Sequence, residues 1–126
     1  MRIPVALTFT VEDEQSLQAA LDALTRWNRQ LIKRRSLEGR PFVGLFEAGV
    51  RYQRERPRVV GVAEDWQNIE RLFQSRRGDC EDLACALAAQ LPGARAVPYR
   101  TSTGWHIVVR QGDGSMIDPS AILGMR

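Results

Sequence analysis

Cys80, His106 and Asp118 are the residues through which this chain could do covalent chemistry. Cys80 follows Gly78-Asp79 and precedes a run with helical spacing, so it stands at the first turn of a helix. Unpaired amide N–H groups and the positive end of the helix dipole lie there, and both favour a thiolate. The same amides offer half of an oxyanion hole. A free cysteine is commonly no more than a small buried apolar residue. Cys85 fits that description, flanked by Leu83, Ala84, Ala86 and Leu87, whereas Cys80 has Asp79, Glu81 and Asp82 around it. His106 is the only histidine and lies in Trp105-His106-Ile107-Val108-Val109, a run of strong β propensity. A three-residue loop over residues 111–113 would pair Arg110 with Gly114. Continuing that ladder sets His106 opposite Asp118 on one face of the hairpin. A carboxylate would then orient an imidazole, and the imidazole would activate a thiol: nucleophile, base and orienter for acyl transfer.

The elements that must position these residues follow from spacing. Residues 3–11 read as a strand, with Asp13 as an N-cap for a long helix to about Arg35. Its apolar stripe runs through Leu17, Leu21, Leu24, either Trp27 or Asn28, and Leu31. Residues 38–41 break it. Residues 42–52 read as weakly helical, and residues 54–60 as a charged connection. A second helix is predicted from Glu64 or Asp65 through Trp66, Ile69, Leu72 and Phe73, with Gly78 as its C-terminal cap. Asp79 then caps a helix over residues 80–91. The remainder is strand-like, at residues 94–101, 105–110 and 115–118, with Pro98 pointing to an edge or a bulge. The expected class is α+β, helices first and then a small antiparallel sheet against which the Cys80 helix packs.

Composition narrows the alternatives. A chain of 126 residues with 44% hydrophobic and 26% charged residues is ordinary for one globular domain. No uncharged stretch is long enough to cross a bilayer, and the N-terminal apolar run passes straight into acid without a cleavage site, which leads us to expect no membrane association and a cytoplasmic protein. Cys80 and Cys85 sit five apart in one helix, about 7.5 Å along its axis, too far for a disulfide. One histidine and two cysteines make no zinc site. The net charge of +3 is uneven, with +7 concentrated in residues 26–58. That segment is either a solvated helix face or a surface for an acidic protein or DNA. No aromatic alternates with its arginines, so a stacking platform for nucleic acid is not indicated.

Three segments together resemble the transglutaminase-like cysteine peptidase superfamily. They are Gly78-Asp79-Cys80-Glu81-Asp82-Leu83-Ala84, then Gly104-Trp105-His106-Ile107-Val108-Val109, then Ile117-Asp118-Pro119-Ser120. The match covers residues 64–120. Residues 1–63 would be an N-terminal strand and helical extension of a single domain spanning residues 1–126. The resemblance implies a papain-like core and a Cys80–His106–Asp118 triad acting as a peptidase or amidase on a protein or peptide, with transamidation the variant in which an amine replaces water. By the family pattern Gln74, six residues before Cys80, or Trp66 would contribute to the oxyanion hole. Asp79, Glu81 and Asp82 match acids that can bind calcium in bacterial members; no other cofactor is implied. Residues 47–52 and 65–80 are further similar to small bacteriophage-encoded members. That narrower likeness implies a second expectation, a structural or adaptor protein of a phage particle that meets other phage structural proteins and keeps the fold without the activity.

Overall fold

The computed structural model describes residues 6–9, 14–54, 64–102 and 104–125. In chain order the elements are β1 (Ala6–Phe9), α1 (Glu14–Leu37), a 3-10 turn (Leu45–Glu47), β2 (Arg51–Tyr52), β3 (Glu64–Gln67), α2 (Ile69–Ser75), β4 (Arg77–Gly78) and α3 (Cys80–Gln90), followed by β5 (Arg95–Thr101), β6 (Gly104–Arg110), β7 (Met116–Ile117) and α4 (Pro119–Ile122). The class is α+β. Three small sheets pair β1 with β3 antiparallel, β2 with β4 parallel, and β5, β6 and β7 antiparallel in that order. The rest of the strand expected over residues 3–11, the Asp13 cap and most of the connection before Val60 lie outside the described residues.

The helical stripe of α1 buries Leu17, Leu21, Leu24 and Leu31 against α3 and β5. Asn28, not Trp27, completes it. Its Oδ1 accepts from the Ile69 amide at 2.8 Å, one of the orphan donors at the start of α2, so a polar residue belongs in this seam. Side chains of α1 also reach the sheet: Gln18 Nε2 donates to the Ala96 carbonyl at 2.8 Å, and Arg29 Nη2 to that of Ala94 at 2.8 Å. Nearly all of α3 is interior, since every residue from Cys80 to Ala88 is buried. Its closely spaced alanines let α1 and the sheet approach on different sides.

Three local expectations are corrected. The helix predicted from Glu64 or Asp65 begins later, because Glu64–Gln67 pairs with β1 as a strand and Asn68 takes the N-cap, its Oδ1 accepting from Arg71 N at 2.9 Å. Only Leu45–Glu47 of the 42–52 segment is helical. Arg51 and Tyr52 pair instead with β4, and the Tyr52 amide donates to the Leu123 carbonyl at 3.0 Å. Finally, Arg76 rather than Gly78 is the left-handed cap of α2, with φ 61°. Gly78 is needed elsewhere. A Cβ there would lie 2.5 Å from Leu72 Cδ1 and 3.0 Å from Asp82 Cβ, so α2 and α3 close over it. Leu72 is fully buried, so its methyl can move aside only by disturbing its core neighbours. Gly78→Ala is therefore expected to cost about 1–3 kcal/mol in chemical denaturation; an unchanged midpoint would disprove the close-packing argument.

The hairpin that carries the candidate site also differs in register. Its loop is residues 112–114, closed by Gln111 N to Ser115 O at 2.8 Å, so Val109 faces Ile117 and Arg110 faces Met116. The ladder is displaced by two residues from the expected pairing of Arg110 with Gly114. The cause is local: Gly114 takes φ 89°, and the Asp113 carboxylate accepts from the Ser115 amide (2.9 Å) and hydroxyl (2.6 Å), fixing a one-residue-later turn. A two-residue shift keeps every side chain on its face. The last strand is also shorter than residues 115–118, since Asp118 leaves it to cap α4, its Oδ1 accepting from Ala121 N at 3.2 Å.

Candidate active site

His106 and Asp118 meet. Asp118 Oδ2 lies 2.9 Å from His106 Nε2 across the β6–β7 hairpin, a diagonal rather than a direct cross-strand contact. With one carboxylate oxygen on α4 and the other on the ring, Asp118 is held at both ends. An Nε2–H donated to Asp118 fixes the tautomer that leaves Nδ1 as the acceptor. Nδ1 makes no hydrogen bond among the described residues. Tyr99, opposite His106 in the β5–β6 ladder, sets its ring edge-on at 5.3 Å between centroids. The tyrosine is 44% exposed while the histidine is 9% exposed, so Tyr99 forms the outer wall of this pair. Burial, and then the nearness of Asp118 and Cys80, raises the Tyr99 phenol.

Cys80 opens α3 behind Asp79, as the spacing requires, and α3 packs on β6. Its sulfur is directed to Glu81, with Sγ donating to Oε2 at 3.3 Å, and makes no hydrogen bond to His106. Burial above all, then the carboxylates of Glu81 and Asp79, push the Cys80 thiol far above the ordinary range. The backbone N–H of Ile107, next to His106, pulls the other way. The helix-dipole argument for a thiolate is thus outweighed here by desolvation and two acids, and the resting thiol is neutral. Cys85 is fully buried, with Sγ donating to the Leu21 carbonyl at 3.5 Å. Both cysteines are free thiols.

The amide expected to serve an oxyanion is already engaged, because Cys80 N donates to Asp79 Oδ1 at 2.7 Å. Gln74 is exposed on α2, and Trp66, 1% exposed, is a core residue of β3. The three acids of the calcium expectation do not converge. Asp82 accepts from Gln67 N (2.8 Å), Gln67 Nε2 (3.2 Å) and Asp79 N (3.2 Å), closing a capping box and tying β3 to α3. Among the described residues the group that does converge is Asp79, Cys80 and Glu81, with ligand atoms within 4.8 Å of one another. Calcium asks for six to eight oxygens, and with Asp82 committed elsewhere this set does not fit it.

No family model, curated protein or solved structure matches the chain. The chemistry of the chain rests on the geometry of this site. The basic segment supplies little of it, since several of its guanidiniums are used internally. Besides Arg29 on the sheet, Arg34 pairs with Glu70 at 3.7 Å, Arg40 pairs with Glu38 at 3.2 Å, and Arg35 lies 4.1 Å over the Phe42 ring. No helix among the described residues is long and apolar enough to cross a membrane. Two neighbours of the site, Tyr52 and Tyr99, carry no motif. Tyr99 was nonetheless accessible by counting, since a ladder that pairs Thr101 with Gly104 pairs Tyr99 with His106.

Proposed function

We propose that this chain is a small thiol-dependent acyl-transfer enzyme, a cysteine peptidase or amidase with a single transglutaminase-like domain and a papain-like core. Cys80 is the nucleophile, His106 the general base and then acid, and Asp118 the orienter. The observation that carries this reading is the 2.9 Å contact between His106 Nε2 and Asp118 Oδ2, made on the strand whose Ile107 amide reaches Cys80. In the reaction the thiol leaves Glu81 for His106 Nδ1 and gives up its proton there. The sulfur then attacks the carbonyl of a protein or peptide substrate. His106 returns the proton to the leaving amine and next takes one from the water that releases the acid.

A second reading rests on a specific observation: the Cys80 sulfur is bonded to Glu81 and its thiol is strongly disfavoured from ionising. On that reading the chain is a structural or adaptor protein, one of a phage particle if the narrower likeness holds, that keeps the fold without the activity. Iodoacetamide labelling followed by mass spectrometry separates the two. The enzyme reading expects Cys80 to be alkylated at least about 10²-fold faster than Cys85, and to lose that advantage in His106→Ala. Equal, slow labelling of both thiols, indifferent to His106, supports the adaptor.

A further inference from the structure

The acyl-transfer reading leaves the developing oxyanion without a side-chain donor, because Gln74 is exposed and Trp66 is sealed in the core. One hydroxyl stands close to Cys80. Tyr52 lies in β2 directly beside Gly78 of β4, and the Gln53 amide donates to the Gly78 carbonyl at 2.8 Å. This pairing holds Tyr52 against the residue that precedes the Asp79–Cys80 step. Its hydroxyl donates to the Asp79 carboxylate, and burial together with the negative charge of Asp79 and the nearness of Cys80 raises the phenol to about 12. The Cys80 amide donates to that same carboxylate at 2.7 Å. Two donors from separate elements, one main-chain and one phenolic, therefore converge on a single anionic group one residue from the nucleophile.

We infer that Tyr52 is a catalytic residue, the side-chain donor of the oxyanion hole, and that the Asp79 carboxylate holds the place of the oxyanion at rest. This rests on the acyl-transfer reading. When the Cys80 sulfur attacks a carbonyl carbon, the C–S bond forms and the π pair moves onto the carbonyl oxygen. That oxygen then takes the hydrogen bonds of Tyr52 O–H and Cys80 N–H in place of Asp79. Collapse returns the pair to the C=O bond and breaks the bond to the leaving group, which departs as an anion or, for an amine, with the proton from His106. The product is a thioester, which water cleaves by the same two steps. A neutral phenol suits the task, since at neutral pH Tyr52 keeps the proton it must donate.

The test compares two reactions of Cys80 in the full chain. Acylation by p-nitrophenyl acetate passes through an oxyanion; alkylation by iodoacetamide, a displacement at a saturated carbon, does not. Tyr52→Phe removes one oxygen and is expected to slow acylation on the order of 10²-fold while leaving alkylation within about twofold. Acylation unchanged, or both reactions slowed together as they would be if Tyr52 only braced the helix, overturns the inference. Wild-type protein that Tyr52→Phe does not alter, yet which acylates at Cys80, sinks the inference alone; wild-type protein that never acylates at Cys80 sinks the acyl-transfer reading and the inference with it.

Discussion

Asp118→Asn is expected to lower Cys80 acylation on the order of 10⁴-fold, the loss that the same change produces in the serine-protease template. The reason is the tautomer. Asp118 accepts a hydrogen bond from Nε2–H and so leaves Nδ1 basic, while an asparagine amide can equally donate to Nε2 and stabilise the wrong ring form. Stability should hardly move, because asparagine caps a helix as well as aspartate does and α4 keeps its Ala121 contact. Nitrophenolate release from p-nitrophenyl acetate, read beside a melting curve, separates the two effects. A fall in rate that merely follows a fall in melting temperature would assign Asp118 to the cap and not to the imidazole.

Asp82→Ala should do the reverse. Asp82 is 2% exposed and its carboxylate accepts from two backbone amides and one side-chain amide, so truncation strands half-buried donors on Gln67 of β3 and at the Asp79 cap of α3. Adding the lost N3 half of the capping box, the expected cost is about 2–4 kcal/mol in urea unfolding. Asp82→Asn, which keeps an acceptor, should recover part of it. A loss below about 0.5 kcal/mol would mean that water satisfies those donors and that the joint is not built on this residue. Calcium plays no part in this expectation, since both Asp82 oxygens are already bonded to nitrogen.

Local signals made much of this legible in the sequence. Leucines at three- and four-residue spacing placed α1, and Asp79 in front of Leu83, Ala84 and Leu87 placed α3, because periodicity and capping act over a single turn. His106 and Asp118 come together although the register was offset, since a shift of two leaves the faces unchanged. Elements stabilised by distant partners were not legible. Glu64–Gln67 carries acids and a tryptophan that suit a helix start, and it is a strand only because residues 6–9 pair with it. Arg51 and Tyr52 are a strand only because β4 is there to receive them. The rotamer that sends the Cys80 sulfur to Glu81 has no sequence signature at all.

Cys85 lies in the seam between α1 and α3, 0% exposed, in a helix whose neighbours from Cys80 to Ala88 are all interior. No fraying end or loop opening uncovers it; α1 must come away from α3, which dismantles the core. Its thiol is thus a native gauge of the folded-to-unfolded equilibrium. The slow capture of this one sulfur by reagent counts the chains that have come apart, in the same tube and the same spectrum in which Cys80 reports on chemistry.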